Sequence, residues 1–315
     1  MRVLVTGGAG FLGRKLIAAL LAGRPELPPV QGIVSLDRVA PGLADPRVSS
    51  LTGDLGDAAL LAEAVAGADL IWHLAAAVSA ECEADLDLGL AVNLQGTLDL
   101  LQAVRAAGRR PRLVFASSLA AYGGSLPETV DDDTPITPDG SYGTQKAVGE
   151  LLVKDFGRRG LLDGRSLRLP TVVVRPGKPN RAASGFASGI LREPLAGQAA
   201  RCPVDPGMRM AIVSPRQAVE GLCRAAALPG AAFGPGRAMN QPGLTVSVAE
   251  MIEALRRVAG DAAVRLIEMA PDPAVEALVS SWPQGVTSQR ALAAGLAPDA
   301  DMAAVLAASL DDLRA

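Results

Sequence analysis

Apolar residues in the first half of the chain fall into short runs separated by longer stretches of helical spacing. Arg2–Thr6, Gly32–Leu36, Leu70–Leu74 and Arg112–Ala116 are five-residue segments dominated by Val, Leu, Ile, Trp and Phe. Apolar runs that do not alternate with polar residues predict strands covered on both faces. Between them, Leu12–Ala22, Ala58–Ala66 and Leu90–Ala107 repeat apolar residues at three- and four-residue intervals, the period of an amphipathic helix. A further short strand is expected just before Gly53. Strand alternating with helix predicts a doubly wound α/β fold with a parallel sheet.

After Pro170 the pattern changes. Gly/Pro-rich segments become dense, and Arg175–Ser184 and Cys202–Gly207 read as loops. Strands are expected at Ser166–Leu169 and Ala211–Val213, and helices at Ala187–Leu195, Pro215–Ala227 and Val248–Ala259. The expected division is a sheet domain over 1–170 and a smaller α/β lobe over 171–315, with some segments returning to the first sheet.

Composition narrows the function. The 315 residues are 49% hydrophobic and 20% charged, with a net charge of −3, an ordinary globular balance. That charge offers no footprint for nucleic acid or an anionic membrane. No apolar stretch reaches the roughly 18 residues of a membrane span. Met1 runs into the first strand, leaving no room for a signal peptide, and a cytoplasmic protein is expected. Cys82, Cys202 and Cys223 are far apart and fit neither a disulfide framework nor a metal site, so reduced thiols and no metal are expected.

The densest signal is Thr6-Gly-Gly-Ala-Gly-Phe-Leu-Gly13, directly after the first strand. Gly7, Gly10 and Gly13 at three-residue spacing suit a tight turn, a close approach of backbone to pyrophosphate, and close helix–sheet packing. The following helix turns its N–H groups and positive end toward the phosphates. The second strand runs into Ser35-Leu36-Asp37. A carboxylate at Asp37 can accept both ribose hydroxyls of NAD and repel the 2′-phosphate of NADP, a preference that Arg38 tempers. Asp54 and Leu55, after the third strand, are placed to border an adenine. His73, the single histidine, ends a strand and reads as a packed residue.

Tyr142 and Lys146 stand four apart, on one face of a helix. An ammonium beside a phenol favours phenolate and lowers its pKa. Ser117 and Ser118 directly follow the fourth of these runs, at the carboxyl edge where such sheets bind ligands. Ser118 is the preferred residue for hydrogen-bonding a reacting oxygen. Asn93 is a candidate anchor for backbone near the site.

The ordered set TGGAGFLG, LD, GDL, HLAA, NLQGT, FASSLAAYG and YGTQK resembles the extended short-chain dehydrogenase/reductase family, over at least residues 1–180. The resemblance implies a Rossmann domain that binds NAD and a C-terminal substrate lobe. It implies Tyr142 as acid/base, Lys146 on the nicotinamide ribose and Ser118 on the substrate. It also implies that Phe11, Leu12, Leu74, Ala75 and Ala76 border the cofactor, as do Asn93, Ala116, Pro170 and Val172. Members often pair through two helices, here the one over Leu90–Ala107 and the one after Tyr142, so a homodimer is expected.

Many family members act on nucleotide-sugars. This chain departs from their pattern at Pro170-Thr-Val-Val-Val-Arg175-Pro-Gly-Lys-Pro-Asn180 and at Arg209-Met-Ala-Ile-Val-Ser-Pro-Arg216. The C-terminal half instead resembles a branch of the family that oxidises the C2 hydroxyl of a four-carbon sugar acid with NAD. A small hydroxy acid needs a cation for its carboxylate and a few donors for its hydroxyls. Arg175, Lys178, Arg181, Arg192 and Arg209 are in the right half. Lys178 and Asn180, on a Pro/Gly-stiffened loop, are the first choices, with Arg209 where relatives place a phosphate-binding arginine. A nucleotide-sugar epimerase is the alternative, and a non-catalytic NAD(P) sensor is disfavoured because Tyr142 and Lys146 are both present.

Overall fold

The computed structural model describes residues 1–176 and 182–314, with side chains through Ser309. Seven parallel strands form the main sheet. Their order is Ala238–Asn240, Asp163–Leu169, Arg112–Ser118, Leu70–His73, Arg2–Thr6, Gly32–Asp37 and Val48–Thr52. The order reverses between Arg2–Thr6 and Leu70–His73, and ligands of such sheets sit in the crevice beyond that point.

Residue alternation explains why the strands read as unbroken apolar runs. Val3, Val5, Leu70, Trp72 and Val114 belong to one core cluster, with helices Phe11–Leu21 and Pro215–Ala227 packed on it. Leu4, Ile71, Leu113 and Phe115 belong to the cluster on the other face, with residues of helices Ala58–Val65, Gly96–Ala107 and Ser141–Arg158. Both faces are packed with apolar side chains along the middle of these strands, and the buried polar residues Thr6, His73 and Ser117 come at their carboxyl ends. Trp72 also donates its indole N–H to the Leu222 carbonyl at 3.0 Å, which pins helix Pro215–Ala227 to the sheet.

Two expected helices are modified. The segment expected as one helix over Leu90–Ala107 begins as a helical turn at Leu86–Gly89, widens into a π-helix over Leu90–Gln95, and continues as Gly96–Ala107. The helix from Val248 runs on to Val264, with a break at Gly260, where φ is +76°. That left-handed conformation is open to glycine and ends regular winding.

The second lobe has its own core around Val173, Ile190, Ile212, Val246 and Met251. Its three-stranded sheet joins Thr171–Val172, Arg209–Val213 and Leu244–Ser247. Helix Pro215–Ala227 and strand Ala238–Asn240 return to the main sheet, so the division near residue 170 is crossed more than once.

Candidate active site

The glycine loop turns at the switch point. Gly7 has φ +72°, and a side chain there would press to 2.7 Å from the Ala75 backbone nitrogen. The strand ends carrying Gly7 and Ala75 therefore meet at van der Waals distance only because Gly7 has no Cβ. Gly10 N–H donates to the Gly7 carbonyl at 3.1 Å, and helix Phe11–Leu21 starts there. Its first N–H groups face the crevice, as a pyrophosphate site requires. Asp37 lies beside the loop: one carboxylate oxygen accepts from Ala9 N–H at 3.0 Å and the other from Arg38 N–H at 2.7 Å. Asp54 is exposed and Leu55 is buried beyond the next strand.

Beneath the loop runs a buried polar chain. Thr97 donates its hydroxyl to the Asn93 carbonyl at 2.7 Å, so it can only accept from His73 Nε2, 2.9 Å away. His73 Nδ1 then accepts from the Thr6 hydroxyl at 2.6 Å. These donors assign a neutral imidazole with its proton on Nε2. Burial, reinforced by the charge of Lys146, holds the His73 pKa down at about 3. The expectation of a packed histidine matches this placement. Asn93 is equally enclosed. Its side chain accepts from Ala77 N–H at 2.8 Å and donates to Gln145 Oε1 at 2.7 Å. Its amide is spent inside the protein, so Asn93 supports the site from behind and does not line the cleft.

Tyr142 and Lys146 sit in the first turns of helix Ser141–Arg158. Gly143 lets this helix approach the Ala120 carbonyl, and Gly149 lets it lie on the Phe115 ring. Lys146 Nζ donates to the Ala116 carbonyl at 2.9 Å and lies 4.8 Å from the Phe115 ring centroid and 5.6 Å from that of Tyr142. Ser117 donates to Glu150 at 2.5 Å, and Glu150 in turn holds Arg168. That leaves Ser118 as the serine that hydrogen-bonds to Tyr142.

The expected lowering of the Tyr142 pKa is not present in the protein alone. Burial pushes it up to about 12, opposed by the hydrogen bond with Ser118 and by the charge of Arg175. The reason is desolvation of the phenolate, while the ammonium is itself depressed to about 8 by burial.

One cleft of about 290 Å³ collects most of the expected residues. The glycine loop from Gly7 through Phe11 and Leu12 to Gly13 lines one end, with Leu74 and Ala76. Ala116, Ser118, Tyr142, Lys146, Pro170 and Val172 line the middle, and Arg209 lies at the far side, exposed. Asp37, Asp54, Leu55 and Ala75 lie outside its lining. Lys178 and Asn180 lie outside the described residues, as does Arg181. Arg192 does not face the cleft; it pairs with Glu193 and donates to the Arg175 carbonyl. Sequence reasoning missed Ser79, Ser184 and Trp282, which also line it. Trp282 is one of two tryptophans and sits in Ser281-Trp-Pro, a signal that pointed to no role without the fold. Among the described residues no cluster of His, Cys, Asp and Glu could hold a metal ion.

The site's residues fit NAD: a glycine turn at a helix start, a carboxylate beside it, and a Ser–Tyr–Lys set further along the same crevice. Comparison with known proteins agrees. The chain is 50% identical to a D-erythronate dehydrogenase of Cupriavidus necator, across 99% of this chain and 98% of that one. It is 40% identical to a D-erythronate dehydrogenase of Haemophilus influenzae, across 97% and 98%. A solved structure described as the nucleoside-diphosphate-sugar epimerase from Agrobacterium tumefaciens superposes with a TM-score of 0.91 at 42% identity, covering 99% of this chain and 94% of that one. Residues 3–226 match the NAD dependent epimerase/dehydratase family. With the glycine turn, the parallel sheet and the Ser–Tyr–Lys set in place, the chain belongs to the NAD-dependent epimerase/dehydratase family.

Proposed function

We propose that the chain is an NAD-dependent dehydrogenase that oxidises the C2 hydroxyl of D-erythronate to 2-oxo-erythronate. The observation that carries this is the 50% identity to a D-erythronate dehydrogenase, which runs through the substrate lobe as well as the sheet domain. Bound NAD supplies the acceptor for the C2 hydride. Tyr142 Oη takes the proton of the C2 hydroxyl as a phenolate, the form that the Lys146 charge and a bound cationic nicotinamide would favour against the burial that raises its pKa in the protein alone, and Ser118 Oγ holds that oxygen. Lys146, which donates to the Ala116 carbonyl, holds the nicotinamide ribose in this reading and adds positive charge near the phenol. Arg209 and, outside the described residues, Lys178 and Asn180 are further substrate contacts. The cleft's walls hold the reacting atoms close, and such positioning accounts for much of a hydride-transfer rate.

The epimerase described for the Agrobacterium structure is the second reading. An epimerase returns the hydride to its substrate and accumulates no NADH, whereas a dehydrogenase releases it. Formation of NADH from D-erythronate, lost in Tyr142→Phe while NAD binding persists, separates the two.

The enzyme is proposed to be a cytoplasmic homodimer. Leu90 and Leu151, 39% and 57% exposed, lie on the two helices that the family resemblance assigns to pairing, and Leu86, 55% exposed, lies on the turn just before the first. No helix among the described residues is long and apolar enough to cross a membrane.

A further inference from the structure

We propose that Arg175 is the anchor of an anion subsite inside the cleft and that it takes the substrate carboxylate. The chemical identity of the anion rests on the dehydrogenase reading; the subsite rests on the following geometry.

Arg175 follows Val173 and Val174, both fully buried in the second lobe. Its backbone is tied at both ends: the N–H donates to Ser188 Oγ at 3.1 Å and the carbonyl accepts from Arg192 Nη1 at 2.6 Å. Its side chain lines the cleft together with Tyr142 and Ser118. Nη2 is buried and has no hydrogen-bond partner among the described residues. Other enclosed arginines are matched: Arg168 meets Glu150 at 2.7 Å, Arg165 meets Asp163, and Arg192 meets Glu193. The charged or ionisable groups that act on Arg175 are Arg192, of the same sign, and Tyr142. No carboxylate of the described residues answers it.

An enclosed cation without a counter-charge is costly, and folded proteins rarely keep one unless a ligand completes it. A guanidinium fork suits a carboxylate in two-point contact. The cofactor pyrophosphate is the other available anion, but its site is the start of helix Phe11–Leu21, already furnished with free N–H groups. Arg175 instead acts on Tyr142. In a 2-hydroxy acid the reacting carbon is bonded directly to the carboxylate carbon. A carboxylate anchor must therefore stand beside the base, where Arg175 is.

The test compares Arg175→Gln and Arg175→Lys with the wild-type enzyme. In Arg175→Gln, KM for D-erythronate is expected to rise about a hundredfold, the usual scale for removing one partner of an enclosed charge pair. The Kd for NAD is expected to stay within about twofold. Arg175→Lys should recover part of the KM, and preference for D-erythronate over the uncharged tetritol erythritol should collapse in Arg175→Gln. An unchanged KM in both variants overturns the proposal. So does a loss of NAD affinity with the KM unaltered, which would give the cation to the phosphates. If the wild-type enzyme oxidises no tetronate, the dehydrogenase reading fails by itself. Calorimetric binding of oxalate to the NADH complex then still decides: loss in Arg175→Gln supports the anion subsite, and retained binding refutes it.

Discussion

His73 shows how one enclosed side chain sets a property of the whole chain. It is 1% exposed and bridges Thr6 and Thr97, one on the strand before the glycine loop and the other on the helix behind the cleft. Its pKa in the fold is about 3, against 6.5 for an ordinary histidine. Below pH 6.5 the unfolded chain binds a proton that the folded chain refuses. Stability therefore falls as pH drops from about 6.5 toward 3 and is fully present above 6.5. At pH 5 the loss amounts to about 2 kcal/mol. Thermal melts between pH 7 and 5 should show a Tm falling by a few degrees in the wild type and a flat profile in His73→Gln. Equal slopes in the two proteins would contradict the assignment. The single histidine was legible as a packed residue because it ends an apolar strand. Its partners were not, since Thr97 is distant in sequence and is brought close by the crossover helix. Arg175 illustrates the same limit. It was one of several cations in the right half, and which cation lacks a carboxylate is decided by pairings such as Arg192 with Glu193 that spacing does not reveal.

At the scale of elements, helix Ser141–Arg158 has to be held in register with the strand carrying Ser118. Glu150 does this from the middle of the helix. It accepts from Ser117 on one strand and from Arg168 on the next, both enclosed. Arg168 also donates to the Tyr122 hydroxyl at 2.7 Å. Replacing Glu150 by Gln leaves the Arg168 charge without its counter-ion. A loss of about 3–5 kcal/mol is expected in denaturant unfolding; a loss below about 1 kcal/mol would show that the pair does not tie these elements. The expected strand Arg112–Ala116 stops two residues short of the observed one. Ser117 and Ser118 carry no apolar signal, yet they continue the ladder opposite Arg168 and Leu169. Polar ends of strands are hidden from a hydropathy reading, and they are where the chemistry lies. Strand Ala238–Asn240 was equally silent, being three residues long with pairing to Ser166–Arg168 as its only specification. The glycine loop, by contrast, was fully legible, since the close contact of Gly7 with Ala75 admits no other residue type without a shift.

For the whole molecule, two lobes close on one crevice, and the chain passes between them repeatedly. The return of helix Pro215–Ala227 and strand Ala238–Asn240 to the main sheet makes the second lobe an outgrowth of the first. Exposed Leu86, Leu90 and Leu151, on the helical segments over 86–95 and 141–158, are the proposed pairing face. Leu151→Asp should convert the proposed dimer to a monomer in analytical ultracentrifugation. A wild-type protein that sediments as a monomer would remove this face as a pairing surface. The central claim is the reaction, and the most direct measurement follows NADH absorbance when the purified chain is given NAD and D-erythronate, with threonate isomers, NADP and UDP-sugars in parallel. The account predicts NADH from D-erythronate with NAD, little with NADP, and turnover reduced about 10²- to 10⁴-fold in Tyr142→Phe. No NADH from any sugar acid, with conversion of a UDP-sugar, would contradict it.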